Sequence, residues 1–158
     1  MLSNKTLLNL IALASLGAVG LALVSQHIFG MPPCAWCVFQ RLIYIVIAIV
    51  CFLATGFGDR PGLRQAAAII TALLGIGGML AAWYQYSVAA QMFSCDQTFA
   101  DQFMVRSGLD AGLPWIFGIF ATCMDARVEV LGVEYAIWSL ILFALITLAA
   151  IHIAARRR

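Results

Sequence analysis

The charged residues of the chain leave four long uncharged runs, at 6–40, 42–58, 65–95 and 135–155. A helix needs about 20 residues to cross about 30 Å of hydrocarbon, and these runs are near or above that length. The pattern predicts four membrane-spanning helices near 7–28, 37–57, 65–89 and 134–154. We therefore expect an all-α integral membrane protein, in which residues 1–158 form a single four-helix bundle.

The first run follows Lys5 and resembles the apolar part of a secretory signal peptide. Such a segment is usually about 7–15 residues long and precedes a small-x-small cleavage site, which we do not find here. A retained helix is the better interpretation. Basic residues then set the orientation, because cytoplasmic loops are enriched in them. Both termini are expected in the cytoplasm, with six basic residues on that side (Lys5, Arg60, Arg64, Arg156, Arg157, Arg158) and two on the other (Arg106, Arg127).

Composition agrees with this class, since 64% of the residues are apolar against about 45–50% in soluble domains. The net charge of +2 is too small to suggest a nucleic-acid surface.

A long outer loop is predicted at about 90–133, and its aromatic residues argue against disorder. Within it, the segment 113–120 is apolar but too short to cross a membrane. We expect it to form a brief helix on the outer membrane surface. The alternative is that this segment forms the packed core of the loop.

Four of the five cysteines fall on the outer, oxidising side of this topology, namely Cys34, Cys37, Cys95 and Cys123. Cys34 and Cys37 form a C-x-x-C motif after Pro32-Pro33, at the predicted start of a helix. The positive end of a helix favours a thiolate, so the motif is expected to be reactive. A structural disulfide, incidental apolar cysteines and a zinc site with Cys95 and Cys123 are the alternatives. Zinc is disfavoured because a second closely spaced pair is missing, and we expect no metal.

Arg41 follows Cys37 by four residues, so the two side chains share one helix face. Ionisable residues within membrane helices are rare and commonly functional. A guanidinium here could hydrogen-bond a carbonyl oxygen of a lipid-soluble acceptor and favour a neighbouring thiolate. The alternatives are that Arg41 extends towards the lipid headgroups or serves as a topology signal. Cys51 lies about 21 Å deeper than Cys37 and is expected to be a core residue.

Taken together, these motifs resemble the DsbB family, the quinone-dependent disulfide oxidoreductases of bacterial inner membranes. The resemblance covers nearly the whole chain. The matching residues are Gln26-His27, Pro33-Cys34-x-x-Cys37, Arg41, Cys95-Asp96, Phe103-Met104-Val105-Arg106, Cys123 and Leu131-Gly132-Val133. Gln40 departs from the pattern, since some members carry an acidic residue there, and residues 99–102 lengthen the outer loop.

The resemblance implies that Cys95 and Cys123 form a loop disulfide that oxidises a periplasmic thioredoxin-like (DsbA-like) partner, which attaches to Cys95. It further implies that Cys123 exchanges with Cys34, and that a membrane quinone, ubiquinone or menaquinone, reoxidises the Cys34 and Cys37 pair. Cys37 would be the sulfur nearest the quinone ring, and Arg41 would polarise that ring.

Other polar residues near the outer membrane face leave alternatives open. Gln26 and His27 are candidates for quinone contact or proton relay, but helix capping and interface anchoring explain them equally well. Gln85 and Gln91 have the same ambiguity. Two other identities compete with a DsbB-like enzyme: a relative of the vitamin K epoxide reductases, and a non-enzymatic membrane protein with structural disulfides.

Overall fold

The computed structural model describes residues 3–57, 60–92 and 98–156. Four long helices dominate the fold: α1 (Asn4–His27), α2 (Ala35–Gly56), α3 (Pro61–Ser87) and α7 (Tyr135–Ala155). Each is long and apolar enough to cross a membrane. The chain is therefore an all-α membrane protein of the predicted class.

Local sequence explains where these helices begin. Ser3 caps α1 by accepting a hydrogen bond from the Thr6 amide at 3.1 Å. Pro61 occupies the first turn of α3, where its missing N–H is not needed. Pro32 and Pro33 precede α2, and Cys34 is its extended N-cap residue. The C-x-x-C motif is thereby placed at the start of α2.

The bundle is held together by α3 against α7, α1 against α2, and α2 against α3, whereas α1 meets α7 over a smaller contact. Glycines allow the close approach of α3 and α7: a Cβ added to Gly78 would lie 2.4 Å from the ring of Phe143. Phe143 is fully buried and stacks on Tyr44 with ring centroids 4.1 Å apart.

Large apolar side chains cover the outside of the long helices instead of being buried. A soluble protein rarely exposes apolar surface on this scale, whereas a lipid environment accepts it at no cost. Examples from three helices, each more than half exposed, are Leu13, Leu21, Leu73, Leu80, Leu145 and Leu148.

Between α3 and α7 lie a 3-10 turn (Ala89–Gln91), the short helices α4 (Phe99–Arg106), α5 (Leu109–Gly112) and α6 (Pro114–Phe117), and a hairpin of β1 (Glu129–Val130) and β2 (Val133–Glu134). Residues 99–102, which we interpreted as a loop extension, form the start of α4. The capping box of Thr98 and Asp101 explains this start. An ion pair between Arg127 and Glu134 ties the hairpin segment to the start of α7.

The segment 113–120 contains a brief helix, α6, which is only four residues long and ends where Gly118 adopts an extended conformation. Phe117 is buried with Val38 and Met104, while Leu113, Trp115 and Phe120 are exposed. One face of this segment therefore forms part of the loop core, as the alternative interpretation proposed. Its position on the membrane surface stays a prediction.

Candidate functional site

The two cysteines of the C-x-x-C motif face each other at the start of α2. Among the described residues, Cys34, Cys37 and Cys123 are free thiols, and the Sγ atoms of Cys34 and Cys37 are 3.0 Å apart. The Val38 amide donates to the Cys34 carbonyl at 3.1 Å, which closes the first helical turn and brings the two side chains together. The pair has the proximity that thiol–disulfide chemistry requires.

Cys123 from the loop packs against the buried cluster that contains Cys34, close enough to affect the pKa of the Cys34 thiol. The loop approaches the motif directly, since the Phe120 amide donates to the Pro33 carbonyl at 3.0 Å. Three sulfurs therefore form a continuous series from the loop to α2. Cys95, the predicted partner of Cys123, lies outside the described residues.

The expectation of a thiolate at the helix start is wrong for Cys34. Its side chain is fully buried and makes no capping hydrogen bond to the helix amides. Burial raises the pKa of the Cys34 thiol well above its usual value, and the contacts with Cys123 and Cys37 raise it further. Loss of hydration thus outweighs the helix dipole at this position.

This environment predicts a pH dependence for the labelling of Cys34. Because its pKa is raised, the thiolate fraction should still be increasing where an ordinary cysteine is already ionised. In the reduced protein we expect iodoacetamide labelling of Cys34 to rise about tenfold per pH unit between about pH 7 and about pH 9. Mass spectrometry of the labelled peptide measures this rate, with denatured protein as the control. A plateau near pH 8 in the folded protein would contradict the prediction.

Cys37 has polar neighbours that Cys34 lacks. Gln85 Nε2 of α3 donates to Cys37 Sγ at 3.2 Å, and Gln40 Nε2 donates to Gln85 Oε1 at 2.7 Å. Both glutamines are buried, at 5% and 7% exposure. From the sequence, the role of Gln85 was ambiguous, and Gln40 stood out only as a departure from the family pattern. The i, i+3 spacing of Cys37 and Gln40 on one helix face was the available signal.

Arg41 is only 5% exposed and holds three elements together. Its Nη1 donates to Gln26 Oε1 at 2.6 Å and to the Ile116 carbonyl at 2.8 Å, and its Nη2 donates to the Ala22 carbonyl at 3.4 Å. Its Nε is buried without a hydrogen-bond partner, and no carboxylate in the described part of the chain forms an ion pair with it. The guanidinium is therefore fixed in position but retains a free donor and an unbalanced charge.

The neighbouring residues Gln26 and His27 have different partners. Gln26 orients Arg41 by accepting its hydrogen bond. His27 instead stacks on Trp115, with ring centroids 4.9 Å apart, and its Nε2 hydrogen-bonds the Trp115 carbonyl at 3.0 Å. The end of α1 therefore contacts the loop at α6 through ring stacking and a hydrogen bond.

A cavity of about 580 Å³ lies between α1, α2 and α7. Its walls are mostly apolar, and small residues of α1 such as Gly17 and Ala18 leave the space open. Its size and lining are typical of a site for a small organic molecule. The residues with reactive or polar groups in its wall include Cys37, Gln40, Arg41, Gln85, Cys123 and Tyr135.

The structure thus places Cys37 and Arg41 in the wall of one cavity. Gln26 accepts a hydrogen bond from Arg41, and His27 contacts the loop at Trp115. Tyr135 is a further wall residue, which the motifs in the sequence did not single out. Cys51 lies in the core, with its Sγ 3.5 Å from Thr71 Oγ1, as expected. Gln91 is exposed at the end of the 3-10 turn.

Comparison with known proteins identifies the family of this arrangement. The family model described as disulfide bond formation protein DsbB matches residues 4–153. Proteins named disulfide bond formation protein B are similar over nearly the whole chain. The one from Polaromonas naphthalenivorans is 31% identical, covering 96% of this chain and 92% of the relative. That from Aromatoleum aromaticum is 33% identical over 90% and 87%, and that from Herminiimonas arsenicoxydans is 29% identical over 100% and 99%.

The match runs through all four long helices and includes the C-x-x-C motif, Arg41 and Cys123. It favours the DsbB interpretation over a relative of the vitamin K epoxide reductases, because one family model accounts for almost every residue. The chain belongs to the DsbB family and is a disulfide-bond-forming oxidoreductase of the membrane.

Proposed function

We propose that this protein reoxidises a periplasmic thioredoxin-like (DsbA-like) dithiol oxidase and passes the electron pair to a membrane quinone, ubiquinone or menaquinone. The observation that carries the proposal is the continuous series of sulfurs. Cys123 of the loop packs against the buried cluster that contains Cys34, Cys34 lies 3.0 Å from Cys37, and Cys37 lines the cavity with Arg41. This series connects a soluble partner to a lipid-soluble acceptor.

The residues around the cavity fit a quinone. The cavity of about 580 Å³ has the apolar walls that a ring and the start of an isoprenoid chain need. The Arg41 guanidinium retains a buried, unpartnered Nε, which is a donor suited to a carbonyl oxygen. When bound, a quinone supplies a two-electron acceptor of high potential. Arg41 and Cys37 are the residues that would hold it, with Tyr135 as a further wall residue.

In the proposed exchange, a thiolate of the partner opens a Cys95–Cys123 disulfide, and the partner leaves with its own disulfide formed. Cys123, now a thiolate, attacks Cys34 of a Cys34–Cys37 disulfide, so the Cys34–Cys37 bond breaks and Cys37 receives the electron pair. Cys95 then attacks Cys123, which restores the loop disulfide and releases Cys34 as a thiol. Each exchange forms one S–S bond and breaks one, and two electrons move from the loop to the motif.

The setting of Cys37 suits a sulfur that receives electrons. An amide N–H from Gln85 reaches it, and Arg41 is close enough for its charge to act on it. Both groups stabilise negative charge on sulfur. Cys34 is buried among thiols, which suits a sulfur that exchanges bonds and does not hold charge.

We further propose that the protein lies in the bacterial inner membrane with both termini in the cytoplasm. The excess of basic residues at one end of the bundle supports this orientation. The four redox cysteines would then face the periplasm, where disulfides persist.

The proposal is tested with the full chain in detergent, a reduced DsbA-like partner and a short-chain ubiquinone. We expect one dithiol of the partner, that is two thiols, to disappear for each quinol formed, over many turnovers. Protein treated with N-ethylmaleimide after reduction is the control and should be inactive. The proposal fails if partner oxidation stops once the disulfides of the protein itself, up to two per chain, are reduced with both ubiquinone and a menaquinone analogue present.

A further inference from the structure

Gln40 and Gln85 form a relay of two amides that ends on the Cys37 sulfur. Gln40 Nε2 donates to Gln85 Oε1 at 2.7 Å, and Gln85 Nε2 donates to Cys37 Sγ at 3.2 Å. We propose that this relay is a positioning device that keeps an N–H donor on Cys37 and makes it the sulfur that carries negative charge when the motif is opened. The inference rests on the proposed function, in which Cys37 faces the electron acceptor.

The direction of the relay gives each glutamine a distinct task. A glutamine amide has a donor end and an acceptor end, so it can present either one to a neighbouring sulfur. Gln40 occupies the Oε1 end of Gln85, which leaves the Nε2 end for Cys37. Gln85 therefore supplies the hydrogen bond, and Gln40 determines which end of the Gln85 amide faces the sulfur.

Burial strengthens this arrangement. Both amides are more than nine-tenths buried, so water competes poorly for their hydrogen bonds. Turning Gln85 over would place its oxygen against the sulfur and leave a buried donor of Gln40 unpaired, which is costly. The relay also crosses the contact between α2 and α3, so helix packing fixes the distance between its members.

The two sulfurs of the motif differ as this inference requires. Cys34 lies 3.0 Å from the Cys37 sulfur and packs in the same cluster as Cys123, whereas Cys37 receives the N–H of Gln85. In an exchange at Cys34, the leaving sulfur is Cys37, and a better-stabilised leaving thiolate departs faster. The relay thereby directs attack on the motif to Cys34 and charge to Cys37.

The test measures the nucleophilicity of Cys37 itself and needs neither quinone nor partner. The full chain in detergent is reduced and treated with iodoacetamide at neutral pH, and fragment-ion mass spectrometry follows the labelling of Cys34 and Cys37 separately. In Gln85→Leu we expect labelling of Cys37 to slow about tenfold, because a hydrogen bond to a charged group is lost. In Gln40→Leu we expect a smaller slowing in the same direction, because Gln85 loses its fixed orientation.

Gln91→Leu is the matched control, since Gln91 is exposed and outside the relay, and its Cys37 should label at the unaltered rate. Helical circular dichroism establishes that each variant is folded, and if Gln85→Leu is not, Gln85→Glu replaces it, with the same expected slowing. Unaltered Cys37 labelling in a folded Gln85 variant overturns the inference. Slowing in the Gln85 variant but not in Gln40→Leu overturns the orienting role of Gln40. The labelling experiment contains neither quinone nor partner, whereas the proposed function is tested by quinone-coupled partner oxidation. Failure of the relay is therefore distinguishable from failure of the proposed function.

Discussion

Replacing Cys123 by serine should stop electron transfer from the loop to the membrane helices. Cys123 is the described loop cysteine, and it packs against the buried cluster that contains Cys34. A serine hydroxyl keeps the size of the side chain but cannot form the disulfide with Cys34. We expect the steady-state rate of partner oxidation to fall by roughly a thousandfold or more, the scale on which loss of a covalent nucleophile acts. Quinone-coupled oxidation of the reduced partner measures this rate.

Cys51→Ser is the matched control for this prediction. Cys51 is also a free thiol, but it is buried in the core beside Thr71. Its replacement should change the rate of partner oxidation by less than about twofold, because the side chain takes no part in exchange. If Cys51→Ser were folded and inactive, or Cys123→Ser retained coupled turnover, the proposed series of sulfurs would be wrong.

The sequence predicts the class of this fold because one physical requirement dominates it. A helix that crosses a membrane must be long and almost free of charge, and the uncharged runs of this chain are visible without any knowledge of packing. Arg41 is conspicuous for the same reason, because it interrupts such a run. Its four-residue spacing from Cys37 places both on one helix face.

The loop was less predictable because its structure depends on tertiary contacts. The capping box of Thr98 and Asp101 marks the start of α4 and could have been recognised. By contrast, Arg41 meets the loop through the backbone carbonyl of Ile116, and every residue has such a carbonyl. No side-chain pattern distinguishes that contact in advance.

The same limit explains the two glutamines. Gln40 and Gln85 are 45 positions apart and meet only because α2 packs against α3. A glutamine near a helix end is often a surface residue, so its residue type alone does not reveal a contact with sulfur. Burial decides between the two interpretations, and burial follows from the packing of the bundle.

Arg41→Met should weaken quinone coupling while leaving thiol exchange intact. Methionine retains the apolar stem of the side chain but removes the charge and every donor. Because a hydrogen bond to a charged group contributes about 1.5–3 kcal/mol, we expect kcat/KM for quinone to fall about 10- to 100-fold. The kcat/KM of Arg41→Lys for quinone should lie between the values of the wild type and Arg41→Met, since lysine restores the charge but lacks the planar set of donors.

A second measurement separates this role from a structural one. Oxidised protein mixed with one equivalent of reduced partner, without quinone, should oxidise that partner at the wild-type rate in Arg41→Met. The variant also loses the donors to Gln26 and the Ile116 carbonyl, so the loop near α6 should become more accessible to protease. Arg106→Ala, which removes an exposed loop arginine, is the charge-matched control and should alter neither rate. If Arg41→Met slowed the single exchange as much as the quinone-coupled rate, the guanidinium would act by holding the loop against α2, and its free Nε would have no part in binding the acceptor.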